Sequence, residues 1–287
     1  YLHSKTFNNF VERIFQEKKR RISKIIFENL AKKHRMPPVV KICGLRSVEA
    51  ALKAMDSGAD MLGVIMVPNR KRTISHDVAK KIAEKARIRR KHDQKKFVSA
   101  KALIHELSTR AFASHNDYFN ASAQLLRENG PFLVGVFRNQ KIDEVFRLAK
   151  ECCLDFIQLH GSEDVQEYLD HNESHEFGII KRYVIPDQIE LMGEFFPKVV
   201  SLQNQGFILP LLDSEAGGEG KTIDWLLIND LDGQFILAGG LNPNNLQETK
   251  PFLKNVVGFD VSGGVEDEDG EKNLGKIEAF VLNAKAI

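Results

Sequence analysis

Two polar residues with acid–base chemistry stand at the ends of apolar runs in this sequence. Cys43 ends the run that begins at residue 39, and Asp213 ends the run that begins at residue 207. A thiol that loses its proton near neutral pH is a general base, and a carboxyl group whose pKa a closed pocket raises is a general acid. The simpler interpretations are a small buried thiol for Cys43 and a strand-end cap for Asp213. An acid–base pair requires a fold in which the two strand ends meet.

Eight short apolar runs, separated by amphipathic segments, predict eight β-strands. Several of the runs are apolar at consecutive positions, which is typical of parallel strands covered on both faces. The predicted strands are 39–43, 61–67, 132–137, 156–160, 178–183, 207–212, 235–238 and 256–261. Helical patterns between or after them lie at 48–56, 78–86, 142–152, 225–230 and 277–284.

The strand–helix alternation favours a closed barrel over an open sheet. Eight units within about 250 residues match the size of a (β/α)8 barrel. The main alternative, a doubly wound sheet, usually has fewer strands and a glycine-rich turn after its first strand. Here Cys43-Gly44-Leu45-Arg46 follows, without a G-x-G-x-x-G pattern. We therefore predict the α/β class, with a (β/α)8 TIM barrel over residues 39–287.

Two segments lie outside the strand–helix pattern. Residues 1–38 are predicted to be a basic amphipathic helical extension, which ends at Pro37-Pro38 because proline interrupts helices. Residues 87–130 are too long for an ordinary connection between a helix and a strand. We interpret them as a partly disordered surface insertion before strand 3, with a short helix near 117–126.

Charge and cysteine content limit the class of protein. Residues 1–36 carry a net charge of +7 and residues 81–96 carry +6, which leaves −11 elsewhere in a chain of net charge +2. An acidic core argues against nucleic-acid binding. Three cysteines, without zinc-site spacing, favour a reducing, cytoplasmic location. The sequence has no apolar run of about 18 residues, so we predict no membrane span. We also expect no signal peptide.

Glycine pairs follow the last two predicted strands. Gly239-Gly240 follows strand 7, and Ser262-Gly263-Gly264 follows strand 8. Glycine lets backbone N–H groups approach an anion closely, and barrels often bind phosphate with these two loops. One pair alone would favour a simple tight turn, but two pairs at these strands favour phosphate. Residues 217–220, after strand 6, are a third wall of this site or a mobile lid.

Three further side chains are predicted near the strand ends. Arg72 lies in the loop after strand 2 and is a candidate contact for an anionic substrate group, or a surface charge. His160 ends strand 4 and is either a substrate contact or an ordinary core residue. Asp260, in strand 8, is equally open to both interpretations.

Seven stretches, which include the candidate site residues, resemble phosphoribosylanthranilate isomerase, an enzyme of tryptophan biosynthesis. The resemblance is greatest to the fungal members of that family. The seven stretches occur in the family's order and cover about residues 39–285. The stretches are KICG (41–44), GADMLGVIMVPNRKRTIS (58–75), LVGVFRNQ (133–140), IQLHG (157–161), LLDSEAGGEGKTIDW (211–225), LAGGLNPNNL (237–246) and GFDVSGGVED (258–267).

The resemblance implies an Amadori rearrangement of N-(5-phosphoribosyl)anthranilate, with Asp213 as general acid, Cys43 as general base and Arg72 at the anthranilate group. It implies no metal and no organic cofactor, because a protonated imine is itself the electron sink. Further substrate contacts are predicted at the ends of strands 4, 6, 7 and 8, and the glycines among them match the family's phosphate-binding loops. They are His160, Gly218, Gly220, Gly239, Gly240, Asp260, Ser262, Gly263 and Gly264.

Alternatives remain for the function and for the N-terminal segment. Another phosphosugar epimerase or isomerase is disfavoured because His160 is the one histidine at a strand end, and a non-catalytic scaffold is disfavoured by the presence of Cys43 with Asp213. Residues 9–22 resemble the first helix of indole-glycerol-phosphate synthase, which fungi often fuse to this isomerase. The extension is therefore a fusion remnant, or a helix that packs on the barrel or contacts a partner. The expected ligand is a small phosphosugar, with no nucleic acid and no membrane.

Overall fold

Eight parallel strands pair in sequence order, and β1 pairs with β8 to close a barrel. The computed structural model describes residues 36–202, 205–214 and 224–287. The strands are β1 (Val39–Ile42), β2 (Met61–Ile65), β3 (Phe132–Phe137), β4 (Phe156–Leu159), β5 (Gly178–Ile185), β6 (Ile208–Ser214), β7 (Phe235–Leu237) and β8 (Val256–Val261). The predicted TIM barrel is confirmed, and the strand bounds agree to within a few residues.

Helices follow the strands and cover the outside of the barrel. They are α1 (Val48–Ser57), α2 (His76–His92), α3 (Ala100–Ser108), α4 (His115–Asn129), α5 (Ile142–Glu151), α6 (Val165–His171), α7 (Ile189–Phe195), α8 (Val199–Leu202) and α9 (Leu274–Lys285). Serine side chains cap the first turns of α1 to α4, each by accepting a backbone N–H. None of the described helices combines the length and the apolar character that a membrane crossing requires.

The connections after β6 and β7 are 3₁₀ helices. Trp225–Ile228 follows β6, where the sequence indicates a helical segment over 225–230. Leu246–Asn255 follows β7 and contains Pro251, which lacks the backbone N–H of a regular α-helical turn. These two segments complete the outer layer with less regular structure than the sequence pattern indicates.

The insertion before β3 is helical, so the expectation of partial disorder is wrong, and the short helix predicted near 117–126 lies within α4. Helix α2 continues to His92, and α3 and α4 follow it. Helix α4 contacts β1 and β8, and the Tyr118 hydroxyl accepts a hydrogen bond from Ile208 N, the first residue of β6, at 2.9 Å. We infer that α4 lies across the N-terminal end of the barrel.

Buried polar contacts fix the insertion to the barrel wall. Arg90, on α2, forms an ion pair with Asp155 at 2.9 Å and donates to the carbonyl oxygen of Val98. The Asp155 carboxylate also accepts the N–H of Leu133 in β3. Arg90, predicted as part of a polar surface, is buried because its charge is paired with Asp155. The predicted N-terminal helix at 7–35 lies outside the described residues.

Candidate active site

The C-terminal ends of the strands surround a cavity of about 280 Å³. Residues from several different strand ends and loops line it, as expected for the catalytic end of a barrel. Ten of the predicted site residues are among them: Cys43, Arg72, His160, Asp213, Gly239, Gly240, Asp260, Ser262, Gly263 and Gly264. The other two predicted contacts, Gly218 and Gly220, lie outside the described residues.

Cys43 directly follows β1 and is buried at the cavity wall. Its backbone N–H donates to Val261 O at 2.8 Å, which fixes the residue against β8. Burial raises the pKa of the thiol, and the Lys41 ammonium opposes that rise. The neighbouring Gly63 leaves the thiol its space, since a methyl group on Gly63 would lie 2.7 Å from Sγ of Cys43.

Asp213 lies near the end of β6 and is also buried. Burial raises the pKa of its carboxyl group, and Arg182 opposes the rise with its Nε 3.1 Å from Oδ2 of Asp213. Arg182 also donates to Ser214 O at 2.7 Å, so its guanidinium is held along β6. A raised pKa favours the protonated carboxyl group that a proton donor needs.

His160 presents a neutral imidazole to the cavity. Burial, together with the nearby Arg182 and Lys41 charges, lowers the pKa of His160 to about 3. Its Nδ1 is buried and has no hydrogen-bond partner among the described residues. A neutral imidazole with a spare ring nitrogen suits a hydrogen bond to a substrate group better than proton transfer at neutral pH.

Arg72 is held in place by a carboxylate from the loop after β8. Its Nε lies 2.6 Å from Oε1 of Glu266 and its second terminal nitrogen lies 2.7 Å from Oε2, a bidentate pairing. Lys272 donates to the same carboxylate at 2.9 Å. Burial alone would raise the pKa of Glu266, but Arg72 and Lys272 outweigh it and lower that pKa. The three charges fix the guanidinium at the cavity rim.

The glycine loops after β7 and β8 lie against each other. Gly239 and Gly240 have φ values of +85° and +65°, a region that favours glycine. A methyl group on Gly264 would lie 1.9 Å from the carbonyl oxygen of Leu241, so only glycine allows this approach of the two loops. The arrangement brings two stretches of backbone to one side of the cavity.

Sequence reasoning did not identify Lys41, Arg182 or Glu266. Lys41 precedes Cys43 by two residues in a strand, so the period of two places both side chains on one face. Arg182 is a charged residue within an apolar strand, which is also a usable signal. Glu266 gives no such signal, because its pairing with Arg72 depends on how two distant loops meet.

The family is identified by a model that matches residues 83–283 and describes N-(5'-phosphoribosyl)anthranilate (PRA) isomerase. This match covers more than half of the chain. The chain belongs to the PRA isomerase family. Membership confirms the family resemblance, and it establishes the chain as an isomerase of tryptophan biosynthesis rather than a scaffold or an epimerase.

Curated relatives named N-(5'-phosphoribosyl)anthranilate isomerase align over most of their length. The relative from Candida albicans is 50% identical over 248 residues, which are 86% of this chain and 98% of that protein. The relative from Saccharomyces cerevisiae is 40% identical over 256 residues, which are 86% of this chain and 95% of that protein.

Solved PRA isomerase structures show the same barrel. The enzyme from Thermotoga maritima is 26% identical with a TM-score of 0.61, over 87% of this chain and all of that one. A second structure, 25% identical with a TM-score of 0.58 over the same shares, contains reduced 1-(o-carboxyphenylamino)-1-deoxyribulose 5-phosphate.

Proposed function

We propose that Cys43 and Asp213 carry out the two proton transfers by which this isomerase converts N-(5'-phosphoribosyl)anthranilate to 1-(2-carboxyphenylamino)-1-deoxyribulose 5-phosphate. The observation that carries the assignment is that both buried groups line one cavity at the catalytic end of the barrel. Geometry of this kind allows one group to act on the ring oxygen while the other acts on a neighbouring carbon.

Asp213 is the general acid in this proposal. Its carboxyl proton goes to the ribose ring oxygen, the bond from that oxygen to C1′ breaks, and the anthranilate nitrogen forms the C=N bond of an iminium ion. The buried position supports this role because it favours the protonated carboxyl group. Arg182 stabilises the carboxylate that remains after the transfer.

Cys43 is the general base in this proposal. Its thiolate takes the C2′ proton, and the electrons of that bond form the C1′=C2′ bond of an enolamine as the iminium nitrogen is neutralised. The enolamine then tautomerises to the C2′ ketone. One proton has left Asp213 and one has joined Cys43, so proton exchange with solvent restores both groups.

The remaining cavity residues are proposed to hold the two ends of the substrate. Arg72, fixed by Glu266, contacts the anthranilate carboxylate, and His160, Asp260 and Ser262 contact the substrate between its ends. The glycine loops at 239–240 and 263–264, with Gly218 and Gly220, bind the phosphate. The ligand of the related solved structure, which carries a carboxyphenyl group and a 5-phosphate, supports two separate anion sites.

The domain organisation and location are also proposals. We propose that residues 39–287 carry the catalysis and that residues 1–38 are a helical extension that packs on the barrel or contacts a partner. A cytoplasmic location is supported by three free thiols, which fit a reducing compartment.

Two conservative variants test the roles of Cys43 and Asp213. Cys43→Ser and Asp213→Asn keep side-chain size, and each should lower kcat by ~10²–10⁴-fold, the usual contribution of a general acid or base. Denaturant unfolding of both variants checks that the fold is retained. A loss smaller than about 10-fold in a folded variant contradicts the assigned role. Rescue of a tryptophan auxotroph lacking this isomerase by the parent chain, but not by Asp213→Asn, tests the same point in cells.

A further inference from the structure

A completely buried lysine lies beneath the proposed base. Lys41 has no exposed side-chain surface, and its Nζ lies 2.9 Å from Oδ1 of Asp260. The pair is a direct cross-strand pair, because Lys41 of β1 is in register with Asp260 of β8. Lys41 precedes Cys43 by two residues, so both side chains lie on one face of the strand. The ammonium group is therefore one layer deeper in the barrel than the thiol.

The thiol and the ammonium border the same small space. A methyl group on Gly63, in the adjacent strand β2, would lie 2.7 Å from Sγ of Cys43 and 3.0 Å from Nζ of Lys41. With glycine at this position, no side chain separates the sulfur from the ammonium. A buried charge of this kind acts on its neighbour with little screening by water.

Several charged groups face the Cys43 thiol from the elements packed around it. Burial raises the pKa of the thiol; Lys41 opposes this most strongly, Asp260 adds to it, and Lys272 opposes it more weakly. Arg72 also interacts with the thiol from the loop after β2. His160, across the cavity, is neutral at neutral pH because its pKa is low. Lys41 is thus the main counterweight to burial.

Burying the Lys41 ammonium costs desolvation free energy, so its position indicates a role beyond stability. Replacing a buried ion pair with apolar residues of similar volume is often neutral or stabilising, because desolvation offsets the attraction. Burial alone would lower the pKa of Lys41, but Asp260 and Cys43 outweigh it and raise that pKa, so the ammonium stays charged throughout the working pH range.

We propose that Lys41 is a positioning residue for catalysis, which stabilises the Cys43 thiolate while Asp260 holds the ammonium group in place. The inference rests on the proposed function of Cys43 as the base that takes the C2′ proton. Lys41 itself exchanges no proton with substrate. Its charge increases the fraction of enzyme in which Cys43 is deprotonated while Asp213 remains protonated, the combination that the reaction needs.

The test measures the Cys43 thiol directly, without substrate. In a Cys153→Ser background, which removes the exposed cysteine, the rate of alkylation by iodoacetamide is followed against pH. Lys41→Met should move the apparent thiol pKa up by about one unit or more, a ~10-fold loss of thiolate below that pKa. The kcat/KM at neutral pH should fall in parallel and recover partly as pH rises.

Asp260→Asn is the matched variant with the opposite expected sign. It removes the carboxylate charge that raises the thiol pKa while it keeps an oxygen acceptor for Lys41, so the thiol pKa should fall. A purely structural role of the pair would not move the thiol pKa in opposite directions. An unchanged thiol pKa in folded Lys41→Met, or a rise in Asp260→Asn, overturns the proposal.

Two controls separate folding and function from the proposal. If Lys41→Met does not fold, Lys41→Gln, which keeps a hydrogen-bond donor for Asp260 without the charge, takes its place: a raised thiol pKa supports the role of Lys41, and an unchanged one refutes it. In a Cys43→Ser background, Lys41→Met should cause no further loss of kcat/KM. If the Cys43→Ser variant keeps its activity, Cys43 is not the base and the proposed function fails. The thiol titration of enzyme that retains Cys43 still tests the effect of Lys41 on the thiol pKa.

Discussion

Replacing Arg182 with methionine should move the alkaline limb of the kcat/KM profile to higher pH. A general acid acts only while it is protonated, so activity falls as pH rises through its pKa. Arg182 opposes the rise that burial causes in the pKa of Asp213. Without the guanidinium, the carboxyl group should keep its proton to higher pH.

The size of the effect follows from the geometry of the pair. Nε of Arg182 lies 3.1 Å from Oδ2 of Asp213, and both side chains are only 8% exposed. Two unit charges about 4 Å apart interact by about 4 kcal/mol at an effective dielectric constant of about 20. Arginine neighbours commonly shift carboxyl groups by about 1–3 pKa units, so we expect the limb to move by about one unit or more.

The assay is the initial rate of isomerisation against pH, measured for the parent, Arg182→Met and Arg182→Lys. The lysine variant keeps the positive charge but not the planar fork, so its limb should stay closer to the parent's. Asp213→Asn gives the residual rate that does not depend on the acid. If the alkaline limb of the kcat/KM profile does not move in folded Arg182→Met, either Asp213 is not the acid that controls this limb or Arg182 does not lower the pKa of Asp213.

Three other predictions concern the barrel end, the glycine loops and the extension. Tyr118→Phe leaves the buried N–H of Ile208 unpaired and should lower the free energy of unfolding by about 1–3 kcal/mol in urea; Tyr168→Phe is the control, since its buried hydroxyl has no partner among the described residues. Gly264→Ala forces the β7 and β8 loops apart and should raise KM. Gly193→Ala is the control, because the space at its Cβ is open and its KM should not change. A KM of Gly264→Ala equal to that of the parent would exclude a role of the loop contact in binding. Deleting residues 1–36 should leave turnover largely intact, and complete loss would show that the extension completes the enzyme.

The strands were predictable because both faces of each strand are covered. Continuous apolar runs such as 132–137 follow from that burial, and the structure places β3 over Phe132–Phe137. The insertion was not predictable in the same way. The charges of α2 that suggested a solvated surface include Arg90, which is buried because Asp155 neutralises it. Sequence position alone does not show which charges find partners.

The sequence by itself determined the barrel, the family and the place of Cys43 and Asp213 at strand ends. Local chemistry suffices for this, because apolar runs define parallel strands and a closed barrel brings their C-terminal ends together. Only the tertiary structure decided which charges act on those two groups. Lys41 meets Asp260 through the register of β1 with β8, and Arg182 meets Asp213 across β5 and β6. The residues of each pair are far apart in sequence, and strand register brings them together in the closed barrel.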